Sequence, residues 1–320
     1  MKIVITGCAG FIGTNLAKKL IELGHQVVGI DNFLDNYSSE IKEVNAKFLN
    51  DLGVSLYRAD LSVDDVSEKI IDVDYIFHLA AQPGLSKTVS FDDYVKNNII
   101  ATHKMLKASR KIKNLKLFVY GSTSSIYGLN VDGDETTTPQ PASNYGVTKL
   151  AAEQLVLSYY RQYNLPVCSL RLFSVYGPRE RPEKLYPQLI NSILYNSEFN
   201  LFEGSLNHSR SYTYIDDIID GMILVMNQTE KVLGEIFNIG SDVEYLNKDT
   251  ISIVEELMKE KTRIIIKSRR PGDQLHTRAN IEKARKILGY DPKVTIREGL
   301  QKEINWFREL RQKNSNVFID

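Results

Sequence analysis

The chain has 320 residues, with 40 Lys and Arg balanced by 40 Asp and Glu, 42% hydrophobic residues and a mean hydropathy of −0.25. That length and mix describe about two ordinary folded domains and disfavour disorder, a collagen-like fibre or a basic nucleic-acid coat. With no net charge there is no whole-molecule field for phosphate backbones, so any anion recognised must be met by placed residues.

Only Cys8 and Cys168 occur, each inside an apolar run. They read as buried, reduced thiols of a reducing compartment. MKIVIT runs straight into a glycine-rich turn rather than an apolar leader, and no segment approaches bilayer length. A cytoplasmic protein with no membrane partner is expected.

In chain order, KIVITG predicts a first strand, followed by Thr6-Gly7-Cys8-Ala9-Gly10-Phe11-Ile12-Gly13 and an amphipathic helix. The next strand, QVVGID, ends on Asp31, with Asn32 beside it. In that setting Gly7 permits a tight turn, Gly10 lets backbone approach a pyrophosphate, and Gly13 lets helix pack on strand. The helix N-terminus then faces negative charge. A carboxylate at Asp31 accepts hydrogen bonds from ribose hydroxyls and repels a 2′-phosphate, which favours NAD over NADP. Asp60-Leu61 closes RADL, where Asp60 fits either the adenine edge or a plain helix cap.

DYIFHLAA, a long helical stretch from Tyr94, and then LFVYGSTSSIYG continue the alternation of strand and helix. Repeated βα units mean a parallel sheet covered on both faces. The expected fold is α/β, a Rossmann-type doubly wound parallel sheet with a core of seven strands, and residues 1–177 are expected to form the NAD-binding domain. Residues 178–320, richer in Pro and charge clusters, are expected to form a smaller mixed α/β substrate-binding part, with later segments returning to the first domain. Tyr145 and Lys149 lie four apart on a helix and so share one face. A Lys ammonium and a positive nicotinamide ring beside a phenol would lower its pKa toward general-base work.

TGxxGxxG, His78 to Ala81, Asn98, STSSIYG, YxxxK and the later RPGD together resemble the extended short-chain dehydrogenase/reductase family, specifically its NAD-dependent nucleotide-sugar epimerases. The likeness runs from Met1 to about Pro292. It implies a catalytic set of Thr123, Tyr145 and Lys149, with Thr123 holding the sugar hydroxyl while Tyr145 takes its proton. It also implies a cofactor site that includes Phe11, Ile12, Asn32, Leu61, Leu79, Ala80, Ala81 and Asn98. On the substrate side it implies Phe202, with Arg210 and Arg270 on the diphosphate and Asp273 on the nucleotide ribose. For Arg210 a solvated surface arginine is the alternative, because Ser211 follows where the family usually has Asp.

Two departures narrow the reaction. The family's 4,6-dehydratases place Asp-Glu after the Thr, whereas Ser124-Ser125 stands here, and neither hydroxyl is a useful acid or base near neutral pH. Ser174 stands where neutral-sugar epimerases often carry Asn and UDP-glucuronate 4-epimerases typically carry Thr. Oxidising C4 of a uronate makes a β-keto acid, which loses carbon dioxide if its carboxylate aligns with the carbonyl π system. An epimerase must therefore grip that carboxylate, and Arg181, Ser174, Ser124 and Ser125 are the candidates. The alternative for Arg181 is a surface arginine held by Glu180 or Glu183. Against the uronate, Lys87 stands in a segment where the family has an Arg.

The expected activity is therefore UDP-glucuronate 4-epimerisation through a transient 4-keto sugar, with NAD as cofactor, a UDP-sugar as substrate and no metal. UDP-glucose or UDP-N-acetylglucosamine 4-epimerase comes next, then a UDP-glucuronate decarboxylase. A nucleotide-sensing regulator would need no Tyr145. The resemblance also implies a homodimer through the YxxxK helix, where Leu150, Leu155 and Tyr159 are apolar.

Overall fold

Seven apolar segments align side by side as one parallel sheet in a computed structural model, which describes residues 1–35, 39–84, 89–269 and 274–313. The strands introduced first are β1 (Lys2–Thr6), β2 (Gln26–Asp31), β3 (Ser55–Arg58), β4 (Tyr75–His78) and β5 (Leu117–Thr123). A short β6 (Asn130–Val131) leaves the sheet, and β7 (Val167–Leu172) rejoins it. The strand Ile236–Ile239 closes one edge beside β7, giving the order Ile236–Ile239, β7, β5, β4, β1, β2, β3.

Alternation along each strand supplies both faces of the core. Ile3, Ile5, Phe77 and Val119 join one buried cluster, while Val4, Ile76, Phe118 and Tyr120 join another. Helices cover the two sides, as right-handed crossovers between parallel strands require. The helix Phe11–Glu22, for example, buries Leu16, Ala17 and Leu20.

Residues beyond Gly177 interleave with those before it. Besides the edge strand, His276–Thr277 pairs in parallel with β6 and with Ser209–Arg210, which pairs antiparallel with Tyr245–Leu246. Glu198–Phe202 and Arg263–Lys267 form a separate two-stranded parallel sheet. The helices Leu185–Leu194, Asn247–Met258 and Ile296–Lys313 pack around these short strands. Strand order reverses between β1 and β4, and in such sheets a crevice opens outside the carboxyl ends of the strands there. Thr6, Asp31, His78 and Thr123 all end strands at that side. Among the described residues, no helix is long and apolar enough to cross a membrane.

Candidate active site

A cavity of about 610 Å³ occupies that crevice and continues under the residues of the second half. The volume is in the ordinary range for a small-molecule site. Its floor is the turn after β1. Gly7 sits at φ +69°, and a Cβ there would lie 2.8 Å from the Ala80 backbone nitrogen. A Cβ at Gly13 would stand 2.3 Å from the Gly7 carbonyl oxygen, so helix and turn meet only without a side chain. Gly10 is the N-cap of Phe11–Glu22 and brings no capping side chain, which leaves the first amides of the helix to the cavity.

Asp31 is buried and accepts from the Ala9 amide at 3.0 Å and the Phe33 amide at 2.8 Å. Lys42 lies 3.9 Å away, and Asn45 on the same helix donates to the Ala9 carbonyl at 2.9 Å. The glycine turn is thus braced from below by one carboxylate and from the side by one helix. Asn32 is exposed at the rim, and Leu61 lines the wall. Asp60 also faces the cavity, but its carboxylate accepts from the Ser62 amide and hydroxyl and pairs with Lys96 at 3.0 Å. Its carboxylate therefore caps the turn after β3 rather than a helix, while lining the cavity.

On the β4 side, His78 is buried between Thr6 (2.7 Å) and Thr102 (3.0 Å), and burial first, then Lys149, pulls its pKa down to about 3. It is a neutral imidazole that fixes the strand end, and Ala80 then donates back to Thr6 at 3.2 Å. Leu79, Ala80 and Ala81 line the cavity. Asn98 does not. It is buried in the π-helical turn Val95–Ile100, where it accepts from the Gln82 amide at 2.7 Å and donates to Thr148 at 3.0 Å. It reaches the cavity wall only through Gln82.

The three hydroxyl and amine groups expected together do converge. Thr123 ends β5, and Tyr145 and Lys149 come from the first turns of Asn144–Tyr163, which Ser143 caps by accepting from the Gly146 amide. A hydrogen bond links Thr123 and Tyr145. Lys149 donates to the Gly121 carbonyl at 2.5 Å and lies 4.2 Å over the Tyr120 ring. Burial pulls Lys149 down to about 7, with the Glu153 carboxylate one turn along pushing back. The expected depression of the phenol is not found. Burial raises the Tyr145 pKa, and the opposing pulls come from Thr123 and the charge of Arg181, not from Lys149. Glu153 is itself gripped by buried Arg171 on β7 through contacts of 2.8 and 3.1 Å, which pins this helix to the sheet.

At the far end, Ser124, Ser125, Ser174, Arg181, Phe202 and Arg210 all line the cavity. Arg181 is largely buried, pairs with Glu183 at 2.8 Å and faces Gly84, where a Cβ would come within 3.3 Å of its guanidinium. It is held by a neighbouring glutamate, as the bland reading had it, yet within the site rather than on the outer surface. Arg210 donates to the Ser209 carbonyl at 2.8 Å and to the Gln274 carbonyl. Arg270 and Asp273 lie outside the described residues, as does Lys87. Sequence reasoning missed Lys42, Glu180 and Gln274, which also line the cavity. Gln274 donates to the Ser124 and Gly128 carbonyls, tying the hydroxyl-rich turn to the second half.

Comparison with known proteins extends this picture. The family described as GDP-mannose 4,6 dehydratase matches residues 4–303. An uncharacterised UDP-glucose epimerase of Bacillus subtilis is 35% identical over 98% of this chain and 99% of its own length. UDP-glucuronate 4-epimerase 2 of Arabidopsis thaliana is 33% identical over 96% of this chain and 76% of its own. The crystal structure of UDP-glucuronic acid 4-epimerase from Bacillus cereus, in complex with UDP-glucuronic acid and NAD, superposes with a TM-score of 0.91 at 36% identity, over 97% of this chain and 100% of that one.

Proposed function

The chain belongs to the extended short-chain dehydrogenase/reductase family, among its nucleotide-sugar epimerases, and from that premise we propose that it is an NAD-dependent UDP-glucuronate 4-epimerase. The observation that carries the proposal is one continuous cavity. It joins a glycine turn and Asp31 at one end to Thr123, Tyr145 and Lys149, and then to Arg181 with its serines. The glycine turn fits a dinucleotide because a Cβ at Gly7 or Gly13 would meet backbone, and because Asp31 keeps a carboxylate at the ribose position. When bound, NAD supplies the acceptor for the C4 hydride and its donor on return.

The chain's own residues manage the proton and the carboxylate. Thr123 orients the C4 hydroxyl, and Tyr145 takes its proton as the C–H bond breaks, then gives it back when the 4-keto sugar has turned its other face. Burial favours the neutral phenol, so the proton returns readily. The hydrogen bond from Thr123 and the charge of Arg181 favour the phenolate needed at the start. Lys149, fixed by Gly121, holds its amine within the same pocket. Arg181 and the hydroxyls of Ser124, Ser125 and Ser174 turn the C6 carboxylate away from the plane in which a 4-keto acid loses carbon dioxide. Arg210 meets the diphosphate. Net redox change is zero.

The assembly is a homodimer, and the compartment is the cytoplasm, a reading supported by two buried free thiols. Product analysis by NMR over a panel of nucleotide sugars tests the activity. UDP-glucuronate gives UDP-galacturonate without accumulating NADH. Arg181→Ala lowers kcat/KM for UDP-glucuronate by at least about tenfold more than for UDP-glucose, with a pentose leaking into the products. An unchanged selectivity and product spectrum would move the neutral-sugar epimerase ahead.

A further inference from the structure

Beside Arg181 the cavity wall holds a second, buried carboxyl. Glu180 is 5% exposed and lines the cavity, and Glu303, from the helix Ile296–Lys313, is fully buried behind it. The two carboxyls are close enough to raise or lower each other's charge. Among the described residues, Glu180 Oε2 and both oxygens of Glu303 have no hydrogen-bond partner. A buried carboxylate with no donor to satisfy it is costly, so burial favours the protonated acid in this pair.

On its own loop Glu180 has Arg181, Glu183 and Lys184 as charged neighbours, while Tyr186 and Tyr212 face it from the second half. Tyr176 and Tyr214 face Glu303. All four phenols are pushed up by burial and stay neutral. Burial likewise raises both carboxyls, Glu180 to about 8 and Glu303 further, because its charge would confront that of Glu180. Glu180 and Glu303 thus add no charge near neutral pH to the wall that holds the Arg181–Glu183 pair, and the next negative charge there arrives at Glu180.

We propose that Glu180, buried beside Glu303, is a specificity-determining residue that admits an anionic C6 group to the Arg181 end of the cavity, with Glu303 as its positioning partner. The proposal rests on the UDP-glucuronate reading. An ionised Glu180 would compete for Arg181 and repel a sugar carboxylate, whereas a hexose with a neutral C6 group would not sense the change. The pair is thus a filter on the charge of the sugar, distinct from the group that binds it.

The test is calorimetric titration of the NAD-loaded protein with UDP-glucuronate and with UDP-glucose from pH 6.5 to 9.5. The expected result is a Kd for UDP-glucuronate that rises at least about tenfold as pH passes 8, while that for UDP-glucose stays level. Glu180→Gln removes the step and leaves the tight, low-pH affinity. Glu303→Met removes the neighbour that holds the Glu180 pKa down and moves the step to higher pH, while Glu303→Gln, which can donate an N–H to that carboxylate, returns it toward the wild-type position. Infrared spectra of the wild-type protein should show a protonated-carboxyl band that diminishes over the same range and is reduced in Glu180→Gln, a readout that needs no sugar. Parallel pH profiles for the two sugars, or a step that survives Glu180→Gln, would overturn this inference alone. Absence of UDP-glucuronate binding at every pH would overturn the functional reading with it.

Discussion

Tyr145 illustrates how one side chain is set by opposing forces. Burial favours its neutral form, and a hydroxyl and a guanidinium favour its anion. The result is a phenol that can both take and return a proton, which is what a reaction with no net redox change asks of it. Tyr145→Phe removes that proton acceptor and little volume, so turnover should fall by roughly 10²–10⁴-fold with NAD and UDP-sugar affinity retained. Single-turnover kinetics beside calorimetric binding checks this. Activity within a few-fold of wild type would make Tyr145 a packing residue.

At the scale of elements, the site depends on two rigid attachments. The turn after β1 is closed by the absence of side chains at Gly7 and Gly13, and the helix Asn144–Tyr163 is fastened by the Glu153–Arg171 pair. Gly13→Ala places a methyl against backbone that cannot give way, so NAD affinity should drop by at least about tenfold and the melting temperature should fall with it. Calorimetry with NAD and a thermal melt read both, and wild-type values in both would contradict the packing argument. These elements were legible because their signals are local: a glycine spacing, an acidic strand end, a tyrosine and lysine four apart. The position of Asn98 was not, because it works through Gln82 rather than at the wall. Nor were the bracing of Ala9 by Asn45, 36 residues on, and the grip of Gln274 on Ser124, 150 residues back. Such contacts follow from how the elements pack, and no local period records them.

For the whole molecule, the alternating apolar runs made a parallel sheet of seven strands legible, although its edge strand Ile236–Ile239 comes from the second half of the chain. The interleaving of the second half with β6 is written in strands of two residues, too short to carry a pattern. The proposed dimer face includes the helix Asn144–Tyr163 and its neighbour through Ala101–Ser109, joined by Asn98 and Thr148. Tyr159 is already buried against His103 and Tyr163, which leaves exposed Ile100 and Val147 as the apolar side chains of the proposed face. A paired Ile100→Glu and Val147→Glu variant should sediment as a monomer where the wild type sediments as a dimer. A wild-type monomer would refute that face.

In the proposed reaction the hydrogen removed from C4 is returned to C4 within one closed site. UDP-glucuronate carrying deuterium at C4 tests it most directly, by NMR and mass analysis of the product formed in ordinary water. The expected product is UDP-galacturonate that retains its deuterium at C4, with no free reduced cofactor. Loss of the deuterium to solvent, its release in free reduced cofactor, or a pentose as the main product would contradict it.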